Sequence, residues 1–227
     1  VVGITLLTSL PNDAAAIPAF ARKYRVSCNL CHNPFPALTA FGEQFAGNGF
    51  RMAIDEEPKD TIATGDDLLT LPASVPLALR LDAYAQLYAN GKAATDFQLP
   101  FNLKLLSGGT LGKKLSYYIY FLLAERGEVA GIEDAFIHWN DIAGAPVDLA
   151  VGQFQVSDPM FKRELRLEVL DYAIYKVLVG LQPANLTYDR GLMASADLAG
   201  FTITGTLVNG DGIPAANELF RYDNDAN

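Results

Sequence analysis

The chain has 227 residues, half of them hydrophobic and 19% charged, and a formal net charge of −9 at pH 7. This length accommodates one large domain or a small and a medium one, and the composition is neither that of a disordered chain nor that of an all-helical membrane protein. The acidic balance argues against nucleic acid as a partner, because nucleic-acid binding requires a basic face. It fits cationic partners or metal ions, although an acidic balance is usually only a solubility device.

The chain begins with the apolar stretch "VVGITLLTSL", which is too short to span a bilayer as a helix. In the following "PNDAAA", Ala14 and Ala16 match the small-residue pattern of a signal-peptidase site. We therefore interpret residues 1–16 as a signal-peptide-like segment, with a short buried segment or an uncleaved anchor as the alternative. Export would place the rest of the chain in an oxidising compartment.

Residues 17–53 are rich in phenylalanine and predict one helix. Leu38, Phe41 and Phe45 recur at spacings of three and four, which gives one apolar helical face, and the glycines of "GNG" end it. Residues 54–75 are acidic and interrupted by prolines, which is typical of a linker or surface loop.

Residues 76–227 change to a period of two. In "LALRLDAYAQLYA", leucine and alanine fall on one side, whereas Arg80, Asp82 and Tyr84 fall on the other. Six further segments continue the pattern: "FQLPFNLKLL", "KLSYYIYFLLAE", "GIEDAFIHW", "VDLAVGQFQV", "DRGLMASADL" and "GFTITGTLVNG". The sequence thus predicts an antiparallel meander of about seven strands. The alternation fits a transmembrane β-barrel and a soluble β-sandwich or barrel equally well. The segment "FKRELRLEVLDYAIYKVLVG" breaks the pattern and predicts a short helix or a long loop.

Both cysteines of the chain and one of its two histidines lie within "CNLCH", residues 28–32. C-x-x-C-H is the attachment sequence of c-type haem. Two thiols three residues apart on one turn can form thioethers with the two vinyl groups of a porphyrin, and the adjacent histidine is aimed at the iron from the same side. We therefore expect Cys28 and Cys31 to anchor one covalent haem c and His32 to be the proximal iron ligand.

The motif has three alternative interpretations besides haem. A thioredoxin-like dithiol would be expected within a βαβ pattern, which does not surround it. A zinc site would need a second cluster of Cys or His to complete four ligands. A structural disulfide would leave His32 unexplained. The upstream export segment and the complete motif favour haem.

A second protein ligand to the iron could come from Met52, Met160, Met193 or His138. We prefer Met52, because it follows the turn "GNG" at which the chain can fold back over the ring. Thioether ligation would raise the reduction potential relative to two histidines. The alternative for Met52 is a core methionine that fills a gap. His138 is more readily interpreted as a strand histidine.

Four basic residues bracket the motif in an otherwise acidic chain, and they could pair with haem propionates or form a solvated rim: Arg22, Lys23, Arg25 and Arg51.

In this context, residues 17–52 resemble the N-terminal cytochrome segment of the fused monohaem cytochrome–porins found in the outer membranes of iron-oxidising bacteria. The shared elements are "PAFARKY", "CNLCH", "FPALTAFGEQF" and "NGFRM". The stretches "VGQFQVSDPMFKRE" and "LTYDRGLMASADLAG" resemble porin strands more loosely. The resemblance implies a small α-helical haem segment followed by a porin-like β-barrel, which passes electrons from extracellular Fe(II) through the haem into the periplasm.

The chain also departs from that family. About seven strands are fewer than such porin-like barrels have, and seven or eight would enclose an interior filled by side chains, without room for haem. The last residues, "FRYDNDAN", are polar, whereas outer-membrane barrels commonly end in an aromatic residue. Either the sequence is part of a larger barrel, or the β region is a compact domain with the haem packed outside it.

The expected function is one-electron transfer rather than substrate conversion, with Fe(II) oxidation as a candidate reaction. No catalytic triad, phosphate loop or paired-carboxylate site stands out in the sequence. The expected partners are Fe(II) or a redox protein, at the outer membrane. The alternative is a periplasmic or extracellular carrier, a subunit of a larger redox assembly whose β domain is a docking scaffold. A haem-free thiol or metal protein is the third hypothesis.

Overall fold

In a computed structural model of the chain, the described residues are 18–33, 37–53, 56, 61–65, 70–89, 93–125, 127–156 and 188–209. They contain three helices: α1 (Ala19–Tyr24), α2 (Cys28–Cys31) and α3 (Ala40–Gly47). Their strands are β1 (Thr61–Ala63), β2 (Thr70–Pro72), β3 (Leu77–Ala89), β4 (Ala93–Thr110), β5 (Leu115–Glu125), β6 (Gly131–Trp139), β7 (Val147–Gln155), β8 (Tyr188–Leu198) and β9 (Phe201–Val208). The expected export segment, residues 1–16, and the segment "FKRELRLEVLDYAIYKVLVG" lie outside the described residues.

Strands β3 to β9 form one antiparallel sheet in which each strand pairs with its neighbours in sequence. The mainly-β fold and the meander are therefore confirmed, and β3 and β6 occupy the bounds that the period-two pattern predicts. Over the described residues the sheet is open, with β3 and β9 at its edges, so the closed form of the expected barrel is not seen in this part of the chain. Within the expected linker, β1 and β2 pair as a small antiparallel ribbon.

One face of the large sheet is apolar and exposed. Ile137, Val151, Leu192 and Leu207 are directly opposite one another across β6 to β9, and each is 42–53% exposed. We call this surface the outer face. Its exposed apolar side chains over the described strands also include Leu77, Leu79, Leu81, Phe97, Leu99, Ile119, Ile132, Trp139, Phe201 and Ile203.

The opposite, inner face carries the buried side chains, and many of them are polar. One row of direct cross-strand neighbours runs through Ser116, His138, Ala150 and Met193, all of which are buried. Other buried polar residues on the strands are Asn102, Lys104, Asp134, Asp189 and Ser195. Apolar side chains, among them Phe154 and Met193, are buried on the same face, so the inner face is mixed, whereas the exposed outer face is mainly apolar.

The helices belong to residues 18–33 and 37–53, which we call the CNLCH segment. Helix α3 ends at Gly47, as the glycines of "GNG" predict. Its predicted apolar face is only partly correct: Phe45 is buried, Phe41 is exposed, and Leu38 precedes the helix. Leu38 instead forms an isolated bridge with His32. The backbone of residues 37–39 thus folds back on the motif before helix α3 begins.

Candidate functional site

The motif forms a single helical turn that begins at a side-chain cap. Ser27 precedes α2 in an extended conformation, and its hydroxyl accepts a hydrogen bond from the Asn29 N–H at 3.4 Å. The His32 N–H donates to the Cys28 carbonyl at 3.0 Å, so the chain leaves the turn directly at His32. A serine cap of this kind supplies one partner for the N–H groups that a helix start leaves unpaired. The turn brings Cys28, Cys31 and His32 to one locality, as the spacing predicts.

Helix α3 packs tightly against this turn. The Thr39 N–H donates to the Cys31 carbonyl at 2.9 Å, and the Thr39 hydroxyl donates to the Leu30 carbonyl at 2.7 Å. A Cβ atom at Gly42 would lie 2.3 Å from the Cys31 carbonyl oxygen, so only glycine permits this approach. The backbone of Cys31 is therefore fixed by contacts from outside the motif, and preorganisation of this kind favours a single cofactor geometry.

The CNLCH segment and the inner face of the sheet enclose a cavity of about 570 Å³. Cys28, Cys31 and His32 all line it, together with apolar and aromatic side chains of the segment: Phe20, Leu38, Phe45, Phe50 and Met52. The sheet wall includes Leu106, Tyr118, Tyr120, Phe136, Phe154 and Met193. Cofactor pockets are mostly apolar cavities of about 300–1,000 Å³. The size of the cavity, its apolar lining and the donor set on one wall fit a covalently attached haem.

The two thiols of the motif differ in exposure, since Cys28 is exposed and Cys31 is half-buried. Burial, and secondarily the neighbouring Cys28, raise the pKa of the Cys31 thiol. The described strands form antiparallel sheets, so no βαβ unit surrounds the motif in this part of the chain, and the fold gives no support to a thioredoxin-like dithiol.

Of the four candidates for a second iron ligand, two line the cavity. Met52 comes from the CNLCH segment and is 39% exposed, whereas Met193 comes from β8 and is 3% exposed. His138 is buried but is not among the lining residues, and Met160 lies outside the described residues. The structure thus places Met52 and Met193 beside His32 in one cavity, and it does not place His138 there.

The carboxylate of Glu56 holds the turn that carries Met52. The Met52 N–H donates to Glu56 Oε2 at 3.0 Å, and Lys23 Nζ lies 3.4 Å from Glu56 Oε1. The Tyr24 hydroxyl lies 3.0 Å from each carboxylate oxygen. Burial, with the charge of Glu56 next, raises the pKa of Tyr24, so the phenol remains a neutral donor. These contacts tie α1 to the chain around Met52.

An aromatic stack joins the CNLCH segment to the sheet. The Phe50 ring stacks on Tyr118 of β5 with the ring centroids 4.5 Å apart, and Phe20 stacks on the other side of Phe50 at 5.0 Å. Phe45 meets both Phe20 and Phe50 edge-on. Offset and edge-on aromatic pairs each contribute about 0.5–1.5 kcal/mol beyond their burial. The stack therefore fixes one end of the cavity.

Polar contacts complete the attachment beside that stack. Arg51 is fully buried and donates to the carbonyl of Lys113, in the turn between β4 and β5. Burial lowers the pKa of Arg51, and the nearby Glu56 opposes this change. Gly49 has φ +71°, and a Cβ atom there would lie 2.2 Å from Ser116 Oγ and 2.7 Å from His138 Nδ1. The backbone of Gly49 thus lies against Ser116 and His138 on the inner face.

Apart from Met193, the sheet residues of the cavity wall were not predicted from the sequence. They lie more than 45 positions from the motif along the chain, and only the fold brings them to it. One signal was available: Arg80, Lys104, Tyr120 and Asp134 are polar or aromatic residues on alternating strand positions. Once the apolar side of the sheet is known to face outwards, these positions must face the interior.

Among the described residues, no group of three or more His, Cys, Asp or Glu side chains is arranged to hold a metal ion directly. No helix in the described part of the chain has the length and apolar character needed to cross a membrane. The chain matches no protein-family model, no curated protein and no solved structure, so the proposals below rest on its own residues and their geometry.

Proposed function

We propose that this chain transfers single electrons through one haem c attached to Cys28 and Cys31, with His32 as the proximal iron ligand. The observation that carries the proposal is that all three residues open onto one apolar cavity of cofactor size, between the CNLCH segment and the sheet. When bound, a haem supplies a reversible one-electron couple at its iron. The two thiols hold the haem in place, and the imidazole of His32 contributes to the reduction potential of the iron.

The surroundings of the cavity suit electron transfer better than substrate chemistry. The stacked rings of Phe20, Phe50 and Tyr118 give the cavity an aromatic wall. A second protein ligand leaves no open position for a substrate, and we propose Met52 in that role because Glu56 already holds its backbone beside the cavity. A thioether ligand and a poorly hydrated site both favour the reduced iron and raise the reduction potential.

We further propose that the outer face of the sheet contacts the acyl chains of an outer membrane, in a porin-like arrangement. The row Ile137, Val151, Leu192 and Leu207 is apolar and exposed, while the neighbouring row is buried and partly polar. Soluble proteins rarely expose contiguous apolar surface of this extent. In the alternative, a periplasmic carrier, a partner subunit of a redox assembly would cover this face.

Expression in a host that matures c-type cytochromes tests these proposals. A pyridine haemochrome assay should show one covalent haem per chain, and the protein should fractionate with outer membranes. Anaerobic mixing of the oxidised protein with Fe(II) should convert the haem spectrum to the reduced form as Fe(II) becomes Fe(III). A colourless product would refute the haem proposal, and release by osmotic shock would instead support the soluble carrier. A spectrum that Fe(II) leaves unchanged would exclude it as the direct donor.

The Met52→Ala variant should lower the reduction potential and convert the spectrum from low spin to high spin, because the iron loses its thioether ligand. Optical spectra and a potentiometric titration measure both effects. Met193→Ala is the matched control, since Met193 lines the same cavity from the sheet. If the spin state changes in Met193→Ala and not in Met52→Ala, the sheet provides the ligand and the assignment of Met52 is wrong.

A further inference from the structure

The basic residues near the motif in sequence are engaged away from the cavity. Arg22 donates to the Leu77 carbonyl at 2.9 Å, Lys23 pairs with Glu56, and Arg51 donates to the Lys113 carbonyl. The cavity wall does not include any of these three residues, and it does not include Arg25. A haem brings two propionate carboxylates, and buried carboxylates require partners. Their partners must therefore be sought elsewhere on the cavity wall.

Two cations of the sheet line the cavity. Arg80 on β3 and Lys104 on β4 are direct cross-strand neighbours, and both belong to the wall that faces the CNLCH segment. Lys104 is 1% exposed, and its Nζ lies 5.3 Å from the centroid of the Tyr120 ring. Arg80 Nε pairs with Asp82 Oδ1 at 2.9 Å.

Two adjacent cations on the cavity wall favour carboxylates beside them. Like charges directly opposite each other on an antiparallel pair are destabilising, and burial in an apolar cavity increases the cost of each charge. Asp82 compensates Arg80, and Asp134 is the acidic side chain of the cavity lining. Two propionates would add negative charge beside Arg80 and Lys104, where it is stabilised by charge-assisted hydrogen bonds.

We propose that Arg80 and Lys104 bind the propionates of the haem attached at "CNLCH", an inference that rests on the haem assignment made above. The haem is then held from two sides: by covalent bonds to the CNLCH segment and by ion pairs to strands β3 and β4. The sheet then does more than support the haem, because the charges of two of its cations contribute to the electrostatic potential at the cofactor. Positive charge beside the haem favours the reduced iron.

Charge-removing and charge-keeping substitutions separate this role from a structural one. Lys104→Met and Arg80→Met should each retain one covalent haem and lower the reduction potential, whereas Lys104→Arg and Arg80→Lys should restore most of the original value. The bending modes of the propionates in resonance Raman spectra should shift in the two methionine variants. Arg25→Gln is the control: Arg25 is exposed and close to the motif in sequence but does not line the cavity, so it removes one charge without either effect.

The outcomes distinguish this inference from the haem proposal. A wild-type protein without covalent haem would remove the basis of both. Covalent haem in every variant, with the potentials and Raman modes of the two methionine variants equal to those of Arg25→Gln, would overturn the propionate site alone. A fall in potential that Lys104→Arg does not reverse would show that the shape of Lys104 matters rather than its charge, and would also overturn it.

Discussion

Replacing both Cys28 and Cys31 by alanine should abolish covalent haem completely, so that the protein loses its colour on denaturation and extraction. Both sulfurs open onto the cavity, and each thioether needs its own thiol. The single variants should retain a haem bound through one thioether, with a shifted haemochrome spectrum. The assay is a pyridine haemochrome measurement on denatured protein, combined with the mass of the intact chain.

Asn33→Ala is the matched control for the cysteine variants. Asn33 is exposed and adjacent to His32 in sequence but does not line the cavity, so its haem content should equal that of the wild type. Haem that remains covalently bound in the double alanine variant would show attachment elsewhere and would contradict the site. Equal haem loss in Asn33→Ala would indicate a folding defect rather than loss of the attachment sites.

Replacing Gly49 by alanine should weaken the attachment of the CNLCH segment to the sheet strongly. At φ +71° a non-glycine residue costs about 1–3 kcal/mol, and the added methyl group would meet Ser116 Oγ and His138 Nδ1 at 2.2 and 2.7 Å. Overpacking of a fitted interior adds about 1–3 kcal/mol. We therefore expect a loss of roughly 2–6 kcal/mol in the free energy of unfolding, measured by denaturant titration with the haem absorbance as the probe.

Gly112→Ala provides the comparison for this substitution. A Cβ atom at Gly112 would lie 3.8 Å from the nearest side-chain atom, Leu115 Cβ, which is an ordinary contact. This variant should change the free energy of unfolding by less than about 1 kcal/mol, because no close contact is created. Equal stability of Gly49→Ala and Gly112→Ala would show that the segment does not dock on the inner face as described.

Local sequence predicts the geometry of the motif but does not predict which residues line the cavity around it. The placement of Cys28, Cys31 and His32 on one turn follows from five consecutive residues and a serine cap, so the spacing alone predicts it. Which of Met52, Met193 and His138 could be the second iron ligand depends on which strand, and which face of it, packs against the motif. Met193 and His138 share one row of the inner face, yet Met193 lines the cavity and His138 packs beside Gly49.

The sequence by itself determined the meander, the bounds of β3 and β6 and the haem-type motif, because alternation and short motifs are properties of neighbouring residues. It did not determine which side of the strands is covered. Alternation divides the residues of a strand between two faces, but it does not say which face is buried. The sequence pattern of β3 is therefore the same whether its leucines face a core or the surroundings.

Only the tertiary structure decided that Leu77, Leu79 and Leu81 of β3 face outwards and that Arg80 and Lys104 face the CNLCH segment. The physical reason is that burial depends on what packs against a face. Here the segment that packs is held by the stack of Phe50 on Tyr118 and by the approach of Gly49 to Ser116, contacts that span more than 60 positions of the chain.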